Sequence, residues 1–128
     1  MTTITITLIT ISISLYIVSG LSKSICDVSS SSEFSKSKLS LLNKPLFWCK
    51  SLSSANKYKN GDKAQGEKFL GSTTVFVWLT DAWHLFDFIR DLSLVIAVFV
   101  FPNVYIVIVG YFIKQVVFEL SYRWLKTK

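Results

Sequence analysis

The chain has 128 residues, 51% of them hydrophobic and only 17% charged, with ten Phe, five Tyr and four Trp. Its mean hydropathy of +0.46 is high for a soluble domain and ordinary for a small membrane protein, and its length allows one domain. The net charge of +6 would point to nucleic acid only as a patch on a soluble fold, and a single His excludes a hydrolase built on several His ligands.

The first element is written in "TITITLITISIS", residues 3–14. Thr3, Thr5 and Thr7 alternate with apolar residues, but Leu8 and Ile9 break the alternation, and Thr10, Ser12 and Ser14 follow on even positions. In a strand that slip would turn the polar set to the other face halfway along. In a helix Thr3, Thr7, Thr10 and Ser14 form one narrow stripe. Lipid tolerates such hydroxyls in helices, because they bond back to the preceding turn or across to a neighbour. Thr2 to Leu21 carries no charge, and about 20 residues is the length that spans hydrocarbon. Residues 2–21 are therefore expected to form a first transmembrane helix. A cleaved signal peptide is the competitor, with Val18 and Gly20 as small residues at a cleavage site. It is disfavoured because "MTTIT" lacks Lys and Arg and the apolar run is long for a signal.

Residues 22–68 read as a loop rich in Lys and Ser. Nine Lys and four acids give it a charge of +5, nearly the whole surplus, and Arg123, Lys126 and Lys128 add to the tail. Positive segments beside membrane spans stay in the cytoplasm. The loop and the C-terminus are therefore expected inside and the N-terminus outside, which three crossings satisfy. Cys26 and Cys49 lie in this loop and would be reduced there. Short helices or coil are expected, with "PLFW" (45–48) at the membrane interface and a turn at Asn60-Gly61.

From Phe69 to Leu125 the chain is apolar and aromatic. Pro102 lacks a backbone donor and restrains Phe101, so a helix within 69–101 should end there and another should run over 104–126. A Pro kink within one long span is the alternative. The predicted fold is all-α: a helical integral membrane protein with about three transmembrane helices and a C-terminal helical hairpin broken near Pro102-Asn103.

The unusual stretch is "TDAWHLFDFIRD". Asp81, His84, Asp87 and Asp91 fall at helical spacings and share one face. Ionisable residues inside a span are expensive and often mark function. Asp81 and His84, with Asp27 at the end of the first span, are the candidate catalytic groups. Asp81, His84 and Asp87 are the candidate metal ligands, His84 supplying nitrogen. The bland reading is that Arg90 neutralises Asp87 and Asp91 near the interface. Lys57, Tyr58 and Lys59 are candidate contacts for an anionic lipid headgroup or phosphate. No GxSxG, HExxH or phosphate-binding glycine loop is present, and no cofactor class is indicated.

At "NKYKNGD", "GEKFLGSTTVFVWLTDAWHLF" and "VFELSYRWL" the sequence resembles a family of small uncharacterised integral membrane proteins of bacteria and their phages. The matching positions are Asp27, Asn56-Lys57-Tyr58-Lys59, Gly71-Ser72-Thr73, Asp81-Ala82-Trp83-His84 and Phe118-Glu119-Leu120-Ser121-Tyr122. The clear match covers about residues 56–90; "SSSS" at 29–32 departs from the pattern. The resemblance implies membrane localisation and singles out Asp81 and His84, but it supplies no reaction.

Three functional readings follow. The first is a multi-pass membrane protein with a polar site at the cytoplasmic end of the second helix, its partner the lipid bilayer. The second is an oligomeric membrane-perturbing or structural protein such as a phage lysis factor. The third, a soluble basic binder, is disfavoured because two long apolar stretches remain after any cleavage. Nucleic acid is not an expected partner.

Overall fold

The computed structural model describes residues 2–127. They form three long helices and a cap of short turns, with no strand among them beyond an isolated bridge between Tyr58 and Glu67. Helix α1 is Thr3–Ser30; α2 (Pro45–Trp48) and α3 (Lys50–Ser53) are single turns; α4 is Ala82–Val100 and α5 is Val104–Lys126.

The hydroxyls of α1 divide by face. Thr7, Thr10 and Ser14, on the exposed stripe, donate to the carbonyls of Thr3, Ile6 and Thr10 at 2.9–3.0 Å. Ser12, on the buried face, donates instead to the Ala97 carbonyl of α4 at 3.0 Å. The helix runs to Ser30 rather than ending near Leu21. Its Ser-rich second half has the composition of a loop. A local pair and tertiary packing hold it in place: Lys23 pairs with Asp27 one turn on at 2.5 Å, and Val28 enters a core with Phe34, Leu39 and Cys49.

Helix α1 is the centre of the bundle. Ser12 meets Ala97 and the Cys26 thiol donates to the Trp83 carbonyl at 3.4 Å, so α4 runs antiparallel to it. Tyr16 packs on Gly110 and the Ser121 hydroxyl donates to that of Ser24 at 2.9 Å, so α5 runs parallel to it. Helices α4 and α5 pack along α1 and hardly touch each other. The self-packed hairpin expected from the sequence is thus opened, because small residues on α1 receive both partners. A Cβ at Gly20 would stand 2.6 Å from the Lys114 carbonyl oxygen, so a larger residue would push α5 away.

The break between α4 and α5 falls at Pro102-Asn103, as the sequence predicts. Phe101 caps α4, and the Asn103 side chain accepts from the backbone of Tyr105 and Ile106 to start α5. Residues 69–80, expected within the second helix, form turns and a short 3₁₀ segment, and α4 begins only at Ala82. Asp81 is the reason: its extended backbone and acceptor side chain make it a helix N-cap rather than an interior residue.

Two helices, α1 and α5, are long and apolar enough to cross a membrane. Helix α4 is interrupted by Asp87, Arg90 and Asp91. The exposed surface of the bundle is apolar near the α4–α5 break, with Phe99, Val104 and Tyr105 each more than 60% exposed.

Candidate functional site

The site at the foot of α4 grows from the Asp81 cap. Asp81 Oδ1 accepts from the His84 backbone N–H at 2.9 Å, closing the first turn. Asp81 Oδ2 lies 2.7 Å from His84 Nδ1 and accepts from the Thr80 hydroxyl at 3.2 Å. The carboxylate is buried, while a third of the imidazole is exposed. A carboxylate on Nδ1 fixes the ring's orientation and leaves Nε2 to meet a ligand or a proton. His84 opens onto a groove of about 360 Å³ lined also by Trp78, Asp87, Phe88 and Asp91. Trp78 and Phe88 stack with centroids 4.8 Å apart.

Asp87 and Asp91 both pair with Arg90, at 2.6 and 2.8 Å. The structure thus splits the four-residue stripe into an Asp81–His84 pair and an Asp87–Arg90–Asp91 triad. Asp27 is engaged by Lys23, and its neighbour Cys26 is the α1 residue that reaches the first turn of α4. Among the described residues no group of three or more His, Cys, Asp or Glu side chains stands close enough to hold a metal ion. Cys26 and Cys49 are both free and buried.

Lys57, Tyr58 and Lys59 lie in the cap, away from His84 in role. The Lys57 carbonyl accepts from the Ser72 hydroxyl at 2.7 Å and from Lys68 N–H at 3.0 Å. Lys59 N–H donates to the Gly66 carbonyl at 3.1 Å. The Lys-Tyr-Lys turn and the Gly-Ser-Thr element therefore form one clasp. Glu67, which sequence reasoning missed, locks it: its carboxylate accepts from Gly71 N–H at 3.0 Å, Thr73 N–H at 3.2 Å and the Thr73 hydroxyl. Those bonds, the Thr73 hydroxyl first, hold the Glu67 carboxyl below its ordinary range. Asn56 ties the clasp to the foot of α4, donating to the carbonyls of Leu46 at 2.6 Å and Thr80 at 3.3 Å.

Lys side chains also cover aromatic faces around the base. Lys50 Nζ lies 3.3 Å from the Trp83 ring centre and Lys38 Nζ 4.1 Å from that of Trp124. Such pairing places cations and aromatic rings together at one end of the bundle, the arrangement found at headgroup level. No family model, curated protein or solved structure matches the chain.

Proposed function

We propose that the chain is a helical membrane protein that presents the Asp81–His84 pair near the lipid headgroups on the cytoplasmic side. The self-bonded hydroxyls of Thr7, Thr10 and Ser14 carry this reading, because an exposed helix face has reason to satisfy its own polar atoms where water is absent. The Lys-rich cap and the tail cluster at the opposite end, which supports a cytoplasmic cap and C-terminus with the N-terminus outside. His84, oriented by Asp81, is the group in position to exchange a proton with, or donate a hydrogen bond to, a headgroup, with Lys57, Tyr58 and Lys59 as further headgroup contacts.

Two measurements test this. The expressed protein should resist extraction by alkaline carbonate and need detergent for release; recovery in the soluble fraction overturns the membrane reading. In nanodiscs the His84 imidazole resonances should shift when anionic lipid replaces part of a zwitterionic bilayer. Unmoved resonances remove the headgroup contact and leave the Asp81–His84 pair a helix cap.

A second reading, self-association, is favoured by one feature of α5. Phe112, Val116, Leu120 and Trp124 recur every four residues and are all more than half exposed. They form a stripe that a second copy would cover. Crosslinking in detergent should capture dimers or larger species, and a strictly monomeric result removes this reading.

A further inference from the structure

Charges and contacts together set a depth scale for the bundle. Gly20 of α1 packs against Lys114 of α5. The Ser12–Ala97 and Cys26–Trp83 contacts place Arg90 and Asp91 of α4 at nearly the same height. Above that height no charged residue occurs on any helix: α4 continues with 92–100, α5 has 104–113, and α1 runs up to Thr3. At 1.5 Å per residue, α4 and α5 rise about 15 Å above the charges, while α1 rises about 25 Å.

Hydrocarbon is about 30 Å thick, so 15 Å is one leaflet. If the Phe101–Asn103 turn reached the far headgroups, Asp91 and Lys114 would lie at the bilayer centre, where charge is most costly. We propose that α1 alone crosses the membrane, and that the upper halves of α4 and α5 form a re-entrant wedge occupying a single leaflet and turning near the midplane. The partner of the wedge is the acyl-chain layer of the leaflet next to the Lys-rich cap.

Most donors of the turn are met within it. Pro102 has no N–H to satisfy, Phe101 N–H donates to Ala97, and Asn103 N–H donates to Phe101 at 2.8 Å. The N–H groups of Tyr105 and Ile106 donate to the Asn103 side chain at 3.0 and 3.3 Å. Each donor met inside the turn lowers the cost of placing irregular backbone where water is scarce. Phe99, Val104 and Tyr105 then face lipid. At the foot of the wedge Arg90 is paired with Asp87 and Asp91, and Lys114 Nζ lies 4.9 Å from the centre of the Tyr111 ring.

This proposal rests on the membrane reading above, and its test separates the two. Thr2→Cys, Lys63→Cys and Val104→Cys, the last beside the Asn103 cap and 64% exposed, are made singly in the full chain, whose own thiols are buried and serve as the blank. Each is treated with a membrane-impermeant maleimide in intact and in opened cells. Thr2→Cys should label in intact cells and Lys63→Cys only after opening. Val104→Cys should label in neither, and a fluorophore placed there should be quenched most by lipids brominated near the end of the acyl chain. Labelling of Val104→Cys in intact cells means a fully crossing hairpin and overturns the wedge alone. Labelling only after opening puts the turn in cytoplasmic water and also overturns it. If Thr2→Cys and Lys63→Cys label from the same side, the membrane reading itself fails.

Discussion

The ring of Tyr16 packs directly on Gly110, so close that a Cβ on residue 110 would collide with three of its carbons. This contact and the approach of Gly20 to the Lys114 carbonyl, one turn on, fix how near α5 comes to α1. Gly110→Ala is therefore expected to destabilise the bundle by about 1–3 kcal/mol, the usual cost of overpacking. Denaturant unfolding in detergent measures it. Pairing Gly110→Ala with Tyr16→Leu should recover part of the loss, because a smaller side chain yields the space. A neutral Gly110→Ala would mean that the helices lie further apart than described.

The cap of α4 separates the roles of Asp81 and His84. The carboxylate accepts the His84 backbone N–H, so Asp81→Ala removes the cap and should cost about 1 kcal/mol. Asp81→Asn keeps an acceptor oxygen and should restore most of it. His84→Ala leaves the backbone N–H in place but takes one partner from the buried carboxylate, and it should cost less than Asp81→Ala because the helix cap survives. Thermal melts followed by circular dichroism distinguish the three. If His84→Ala melts as low as Asp81→Ala, the imidazole itself supports the fold and is a poor candidate for a reactive group.

Much of this architecture is legible in the sequence, and the failures share a cause. The break at Pro102-Asn103 and helix 104–126 follow from local chemistry: a missing donor, then a capping side chain. The three-residue spacing of Asp81 and His84 likewise brings them together. The second half of α1 was hidden because Ser22, Ser24 and Ser29 suggest a loop, yet all three are buried and Ser24 meets Ser121 of α5. The late start of α4 was hidden because Asp81 belongs equally well inside a polar stripe or before a first turn. Glu67 carried no signal, since its partners Gly71 and Thr73 are brought to it only when the chain turns back. The place of α1 between α4 and α5 is written in Ser12, Tyr16 and Gly20, but only the packed structure shows which partner each receives.

Hydroxyls on opposite faces of α1 should respond differently to removal. Ser12 bridges to the Ala97 carbonyl, whereas Ser14 bonds within its own helix. Ser12→Ala loses an interhelical bond worth about 0.6 kcal/mol in a membrane protein and should lower stability by that order. Ser14→Ala loses only a back-bond and should be neutral or slightly stabilising. Equal effects at the two positions would contradict the assignment of α4 to the Ser12 face.

The clasp around Glu67 should loosen in acid. Hydrogen bonds from Thr73 and Gly71 hold its carboxyl below the ordinary range, so folding lowers its proton affinity. Such a group stabilises the fold above its unfolded pKa, and the contribution is lost as pH falls through the lower folded value. The window thus lies at and below the usual carboxylate range, and nothing should change near neutrality. Because the side chain is solvent-accessible, the effect is local rather than global. The amides of Gly71 and Thr73 report it directly. In a pH series of exchange rates, corrected for intrinsic chemistry, their protection should fall with acid in the native chain. Glu67→Gln keeps an acceptor without the charge, so its protection should be lower at neutral pH and flat across the series. Protection that is pH-independent in the native chain would show that the Thr73 and Gly71 bonds do not hold the clasp.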